Sequence, residues 1–186
     1  MNEPSATPAE RTLDAWRARE AEIDARAHEV GLASPAQVAG RTGLEILQAM
    51  VAGEIPRAPI SRTLNFLLVE LEAGRAVFQG RPLFDHYNPL GTVHGGWVAT
   101  LLDSAVGCAV HTLMEPGRSY TTVELKINYV KAVTHKVPLV RAVGEVIHRG
   151  GRIATAQGRL VGPDGTLYAH ATTTCLLFEA QPSATP

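Results

Sequence analysis

Gly95-Gly96-Trp97-Val98-Ala99-Thr100-Leu101-Leu102-Asp103-Ser104-Ala105-Val106-Gly107-Cys108-Ala109-Val110 is the stretch on which the fold turns. Nearly every residue in it is apolar or small. At 16 residues it is shorter than the roughly 20 that a membrane-spanning helix needs. A helix that is apolar on almost every side must instead be buried in a protein core. The surrounding sequence supplies the shelter. Upstream, Leu64, Phe66, Leu68, Val69 and Leu71 read as a strand, and Glu72-Ala73-Gly74 turns the chain into a second strand over 75–79. Downstream lie four β-rich stretches, at 119–131, 139–148, 152–161 and 167–179. The turns between them carry Pro138, Gly150-Gly151 and Gly162-Pro163-Asp164-Gly165; the last two are hairpin signals. The order is strand, strand, helix, then four strands, with neither internal repeats nor βαβ alternation. This predicts an α+β fold: a curved antiparallel sheet of about six strands wrapped around one long buried helix.

Working outward, residues 1–10 are rich in Pro, Ala, Ser and Thr and read as a disordered tail. Residues 11–59 read as an N-terminal helical extension. Its first helix is expected over 12–30, with Leu13, Trp16, Ile23 and Ala27 at helical spacing, Thr12 as cap and Gly31 as stop. The apolar face is thin and packs either on the main domain or on a second subunit. Ser34-Pro35 opens a second helix with Leu44, Ile46, Leu47, Met50 and Val51 inward, and Pro56 and Pro59 end helical structure. The main domain spans 60–180, and 181–186 is a tail.

Composition narrows the function classes. Of 186 residues, 45% are apolar and 19% charged, with a formal net charge of −1. That balance gives no general attraction to nucleic acid or to an acidic membrane surface. Cys108 and Cys175 are far apart in apolar surroundings, which suits reduced, buried thiols better than a disulfide or a zinc site. With no signal-like or membrane-spanning run, the expected location is the cytoplasm. No metal-ligand spacing is present: His86 and His94 lie eight apart without a third ligand. Ser61, Ser104 and Ser119 lack the setting of a nucleophile elbow. Glu124 and Lys126 alternate on one strand face and read as solvated.

Two features of the buried helix ask for a chemical explanation. Gly95 and Gly96 stand where it begins, although Gly is a poor helix former. They serve either as a plain turn and cap or as a site where a ligand approaches the unpaired first-turn amides. Such a site stabilises a developing oxyanion. Asp103 is the one charge between Gly95 and Val110. It is either bonded to a strand at the helix surface or catalytic, because a buried unpaired carboxylate is costly. Eight residues separate Gly95 from Asp103, about 12 Å along a helix axis. One reacting carbon cannot reach both. A two-fold dimer with these helices side by side and antiparallel would bring Gly95 of one chain to Asp103 of the other.

His86-Tyr87-Asn88-Pro89-Leu90-Gly91-Thr92-Val93-His94-Gly95-Gly96, followed by Leu102-Asp103, resembles the signature of the PaaI-like hotdog-fold acyl-CoA thioesterases. The stretches Thr121-Thr122-Val123-Glu124-Leu125-Lys126-Ile127-Asn128-Tyr129 and His148-Arg149-Gly150-Gly151-Arg152 are similar to theirs as well. The resemblance covers roughly residues 60–179 and implies a hotdog fold, a homodimer that pairs again into a tetramer, and hydrolysis of acyl-CoA. By position, Asp103 is the nucleophile or general base. Gly95 and Gly96 offer backbone N–H groups to the carbonyl oxygen. Asn88 orients the water or the thioester, His94 holds the loop, and Thr122 helps place the water. Arg149 and Arg152, flanking Gly150-Gly151, either meet the phosphates of coenzyme A or form an ordinary charged turn; Arg suits phosphate through its planar fork. No cofactor is implied, coenzyme A being part of the substrate. Two other readings of the same fold are a hydratase or dehydratase of acyl thioesters, which needs a catalytic His, and a non-catalytic acyl-CoA binder, which does not need Asp103. Trp97, Leu101, Tyr87 and Phe84 are the candidates for lining the acyl pocket.

Overall fold

A computed structural model describes residues 6–26 and 29–180. The expected tail at 181–186, residues 1–5 of the N-terminal tail and the Ala27 position lie outside the described residues. The element order is α1 (Pro8–Asp24), α2 (Pro35–Val38), α3 (Gly43–Ala52), α4 (Pro59–Thr63), β1 (Phe66–Glu72), β2 (Arg75–Gly80), a 3-10 turn (Phe84–His86), α5 (Gly95–His111), β3 (Arg118–Tyr129), β4 (Val140–Arg149), β5 (Ile153–Val161) and β6 (Leu167–Glu179). The strands form one six-stranded antiparallel sheet in the order β1-β2-β4-β5-β6-β3. This is the hotdog arrangement, with α5 held against the sheet.

The α5 segment starts and stops within a residue of the span read from its composition. Leu101, Leu102, Ala105, Val106, Ala109 and Val110 are fully buried. The helix comes so close to the sheet that the strands beneath it need glycine. A Cβ on Gly144 would lie 2.3 Å from the Ala105 carbonyl oxygen, and one on Gly80 would lie 2.7 Å from Leu101. Alternation along β2 sends Ala76 and Phe78 toward α5, and Val77 to the other face. Both expected hairpins form. The Gly150 N–H donates to the Ile153 carbonyl at 2.8 Å, and Gly162 N–H to the Thr166 carbonyl at 2.9 Å.

The N-terminal extension departs from the sequence reading in its boundaries. The first helix begins at Pro8, not near Thr12, because Thr7 and Glu10 form a reciprocal capping box. Pro8–Glu10 are therefore helical and not part of a disordered tail. Of the two packings open to α1, the structure has it on the main domain. Its Ile23 packs with Val69 and Val77, and the Trp16 ring stacks 4.6 Å from the Arg141 guanidinium. Arg141 in turn bonds to Gln79 at 2.9 Å and pairs with Glu70, so this polar cluster under α1 is internally satisfied. The second expected helix is two. α2 ends before Gly40, which takes φ +72°, and α3 restarts at Thr42 with its own capping box to Glu45. Pro59 opens α4 instead of ending helical structure, since the first helical position tolerates proline. No helix among the described residues is long and apolar enough to cross a membrane.

Candidate active site

The burial of α5 is not uniform. Thr100, Asp103, Ser104 and Cys108 form a half-buried stripe at helical spacing, on the side that passes the edge strand β3. Asp103 sits mid-stripe. Thr122 on β3 donates its hydroxyl to Asp103 Oδ1 at 3.1 Å, so the carboxylate is oriented by a strand residue. A β-bulge between Thr122 and Glu124 interrupts the β3–β6 ladder next to this contact. Such bulges re-aim side chains beside functional sites.

Asp103 and Thr122 line a cavity of about 240 Å³ with Ser104, Cys108 and Tyr120. The walls further in are apolar, from Leu47 and Met50 on α3 and from Phe66 and Phe78 on the sheet. Burial, with the Asp103 charge adding to it, pushes the Cys108 thiol up to about 12. It is a neutral thiol at physiological pH and no nucleophile. Burial also raises Tyr120 well above the usual phenol range, so its hydroxyl stays protonated. Both cysteines are free thiols, as their surroundings in the sequence suggest.

The start of α5 faces a different cavity, of about 300 Å³, lined by Asn88, Thr92, Gly95, Tyr129 and Lys131 among others. His94 is the N-cap: its Nδ1 accepts the Gly96 N–H at 2.8 Å, which fixes the proton on Nε2 when the ring is neutral. The Gly96 amide is therefore taken within the protein. By position the Gly95 N–H is a first-turn amide that no helical carbonyl can reach. Tyr129 packs on Gly95, where a Cβ would meet its ring at 3.1 Å, and donates its hydroxyl to the Gly95 carbonyl at 3.0 Å. Asn88 orders the loop that delivers His94. Its Oδ1 accepts from the Leu90 N–H at 2.9 Å and its Nδ2 donates to Thr92 Oγ1 at 3.1 Å.

The structure thus brings Thr122 to Asp103, and Asn88 to Gly95, in two separate cavities. The β4–β5 hairpin holds the remaining candidates. Arg149 pairs with Glu115 at 3.4 Å, Arg118 donates to the Gly151 carbonyl at 2.9 Å, and Arg152 is exposed. The register runs Arg149–Ala154–Cys175–Thr122 across four strands, which puts Arg149 and Thr122 about 14 Å apart at the usual strand spacing.

The four residues expected to line the acyl pocket line neither cavity. Trp97 and Leu101 are buried over Gly80, Tyr87 bonds to His135 at 2.7 Å, and Phe84 is exposed. The sequence reading missed Tyr129 and Tyr120. Both lie in or next to the Thr121–Tyr129 stretch, and strand alternation brings Tyr120 to the same face as Thr122. Nothing local announces the α3 wall, which meets α5 through tertiary packing. Glu124 and Lys126 are exposed, in keeping with a solvated face.

Residues 90–169 match the thioesterase superfamily. No curated protein matches the chain. Among solved structures, the chain is similar to a phenylacetic acid degradation-related protein from Ralstonia eutropha JMP134, at 27% identity and a TM-score of 0.64, over 70% of this chain and 98% of that one. It is also similar to a thioesterase family protein from Silicibacter pomeroyi, at 27% identity and a TM-score of 0.61, over 66% and 90%. A variant of the phenylacetic acid degradation protein PaaI from Thermus thermophilus matches at 27% identity and a TM-score of 0.57, over 63% and 97%. The match over residues 90–169 and the architecture shared with these structures support a place for this domain in the PaaI-like hotdog thioesterase family.

Proposed function

We propose that this protein hydrolyses acyl-CoA thioesters to the free acid and coenzyme A, at sites shared between two copies of the chain. The observation that carries the reading is the Asp103–Thr122 contact of 3.1 Å in a cavity whose walls are mostly apolar. A thioester needs a polarised carbonyl and a delivered nucleophile, and a carboxylate with fixed dipoles supplies both without metal or organic cofactor. Asp103 takes a proton from water as the water oxygen attacks the carbonyl carbon, or attacks that carbon itself and forms an anhydride that water then cleaves. The carbonyl oxygen gains negative charge in either route and is received by the Gly95 N–H at the positive end of α5. In either route collapse of that first adduct breaks the C–S bond, before any anhydride is hydrolysed, and the coenzyme A thiolate leaves and is protonated. Asn88 holds the loop that presents this amide. Arg149 and Arg152 meet the coenzyme A phosphates at the hairpin.

The two-chain site is supported by the separation of the cavities and by two surfaces of the protomer. β3 is a 12-residue strand at the edge of the sheet, with exposed Val123 and Tyr129. A long open edge of this kind readily pairs with another chain. Ala99 and Thr100, half-buried on α5 and in neither cavity, are the second such surface; turned to a two-fold copy, antiparallel, they would set Gly95 near the copy's Asp103. A hydratase reading is weaker, since His94 Nδ1 is engaged as a helix cap.

The test follows free thiol with a chromogenic disulfide across a panel of acyl-CoAs. Thiol release that depends on Asp103 supports the reading. Binding without thiol release from any acyl-CoA overturns it in favour of a binder. Single turnover in ¹⁸O water separates the two roles of Asp103: label entering the Asp103 carboxylate marks the anhydride route.

A further inference from the structure

The cavity at Asp103 is lined in part by residues outside the stretch that matches the thioesterase superfamily. Leu47, Met50 and Val51 come from α3, and Ile60 from α4. These helices are pinned to the two ends of α5. At its C-terminal end, the Gly43 N–H donates to the Met114 carbonyl at 2.9 Å, and a Cβ on Gly43 would fall 1.8 Å from the His111 carbonyl oxygen. At its N-terminal end, Trp97 Nε1 donates to the carbonyl of Leu64, the cap of α4, at 2.8 Å. The extension therefore lies along α5 as a fixed wall, and Leu47, Phe66 and Phe78 join it to the core. Arg57 and Ser61 also line the cavity; Arg57 is tied to Asp24 at 3.2 Å.

We propose that α3 and α4 select the acyl group: an apolar acyl chain enters from the Asp103–Thr122 end and stops against Met50 and Ile60. This rests on the thioesterase reading above. Size follows from volume. A dry cavity of about 150 Å³ holds benzene, so about 240 Å³ takes an apolar group of roughly six to ten carbons. The acyl group selected is therefore an apolar one of about that size.

The test uses the full chain and straight-chain acyl-CoAs from two to sixteen carbons. Wild type is expected to peak in kcat/KM between about six and ten carbons. Met50→Trp and Ile60→Trp should each lower the octanoyl-to-acetyl ratio of kcat/KM at least tenfold, because a methylene-sized change in an apolar pocket is worth about 10–200-fold. Met50→Ala should move the optimum to longer chains. Ile60 is 48% exposed, so its replacement keeps the test valid if the Met50 variants fail to fold. Equal changes at all chain lengths would overturn the proposal. A protein without hydrolysis would fail the functional reading alone. Calorimetry with non-hydrolysable acyl-CoA thioethers would then read the same length preference from Kd, and its insensitivity to the Trp variants would sink the wall.

Discussion

Thr122 Oγ1 donates to Asp103 Oδ1 at 3.1 Å, joining the edge strand β3 to the middle of the buried helix α5. One carboxylate oxygen is held by the hydroxyl, and the other is left to act on water or substrate. Asp103→Asn should lower kcat at least about 100-fold, the usual contribution of a general base or more. Thr122→Ala removes a hydrogen bond to a charged group, worth about 1.5–3 kcal/mol, and should cost roughly 10–150-fold. Asp103 is half-buried, so Asp103→Asn should melt within a few degrees of wild type, while Thr122→Ala should melt about 3–12 °C lower. Steady-state kinetics with thermal melts checks the pair. A folded Asp103→Asn protein with near-normal kcat would remove Asp103 from the chemistry.

A shared site has a consequence that a self-contained one lacks. Gly95→Pro deletes the first-turn amide at a position where proline suits a helix, with the exposed Tyr129 ring giving way to the new Cβ. Each homodimer, Asp103→Asn or Gly95→Pro, should be inactive. A heterodimer of the two, isolated with different affinity tags, has one site made from two intact halves. It should recover about half of wild-type activity, whereas sites contained within one chain would recover none. The measurement is the specific activity of the doubly purified species.

Much of this arrangement is legible in the sequence, and the parts that are not share a cause. The extent of α5 can be read because its apolar run has sharp ends, with Gly95 at one and His111 near the other. The strands follow from alternation and from the two glycine hairpins. Helix starts in the extension could have been read from local chemistry: Thr7 with Glu10 and Thr42 with Glu45 are spaced as capping boxes. Apolar periodicity alone places the first cap at Thr12 and runs α2 into α3 across Gly40. The Asp103–Thr122 contact depends on where an edge strand passes a helix 19 residues earlier, and only resemblance anticipates it. The α3 wall is further out of reach. Met50 reads as an ordinary inward residue of an amphipathic helix, and nothing within its own turn says which cavity it will close.

Packing of α5 on the sheet should be intolerant of a single methyl. A Cβ at position 144 would lie 2.3 Å from the backbone oxygen of Ala105, and neither partner is a flexible side chain. Overpacking typically costs about 1–3 kcal/mol, and for a domain of this size each kcal/mol lowers Tm by about 2–4 °C. Gly144→Ala should therefore melt about 5–12 °C below wild type, at the upper end of that range. Gly151→Ala, in the hairpin with nothing within 4 Å of the new Cβ, is the control and should melt with wild type. Equal melting temperatures for Gly144→Ala and Gly151→Ala would mean that the helix sits further from the sheet.

The C-terminal turn of α5 carries a titration that should set the acid limit of stability. His111 is packed against Tyr120 at 5.6 Å, and its Nδ1 is buried without a hydrogen-bond partner among the described residues. Burial lowers its pKa from the ordinary value of 6.5. The dipole of α5 favours a cation at this end, but the lowered pKa means that desolvation wins. In the unfolded chain His111 binds a proton near pH 6.5, while the folded protein resists it until the pH is lower. The unfolded state then holds more protons, so stability is fully present above about pH 6.5 and falls as pH drops from there through the folded pKa. His86, stacked on Trp97 at 5.1 Å and also lowered by burial, adds to the same slope. His111→Gln removes one titrating group and should flatten the fall in Tm between pH 7 and pH 5 without abolishing it. Thermal melts of both proteins across that range decide the matter: parallel curves would mean that His111 takes up its proton without cost in the folded state.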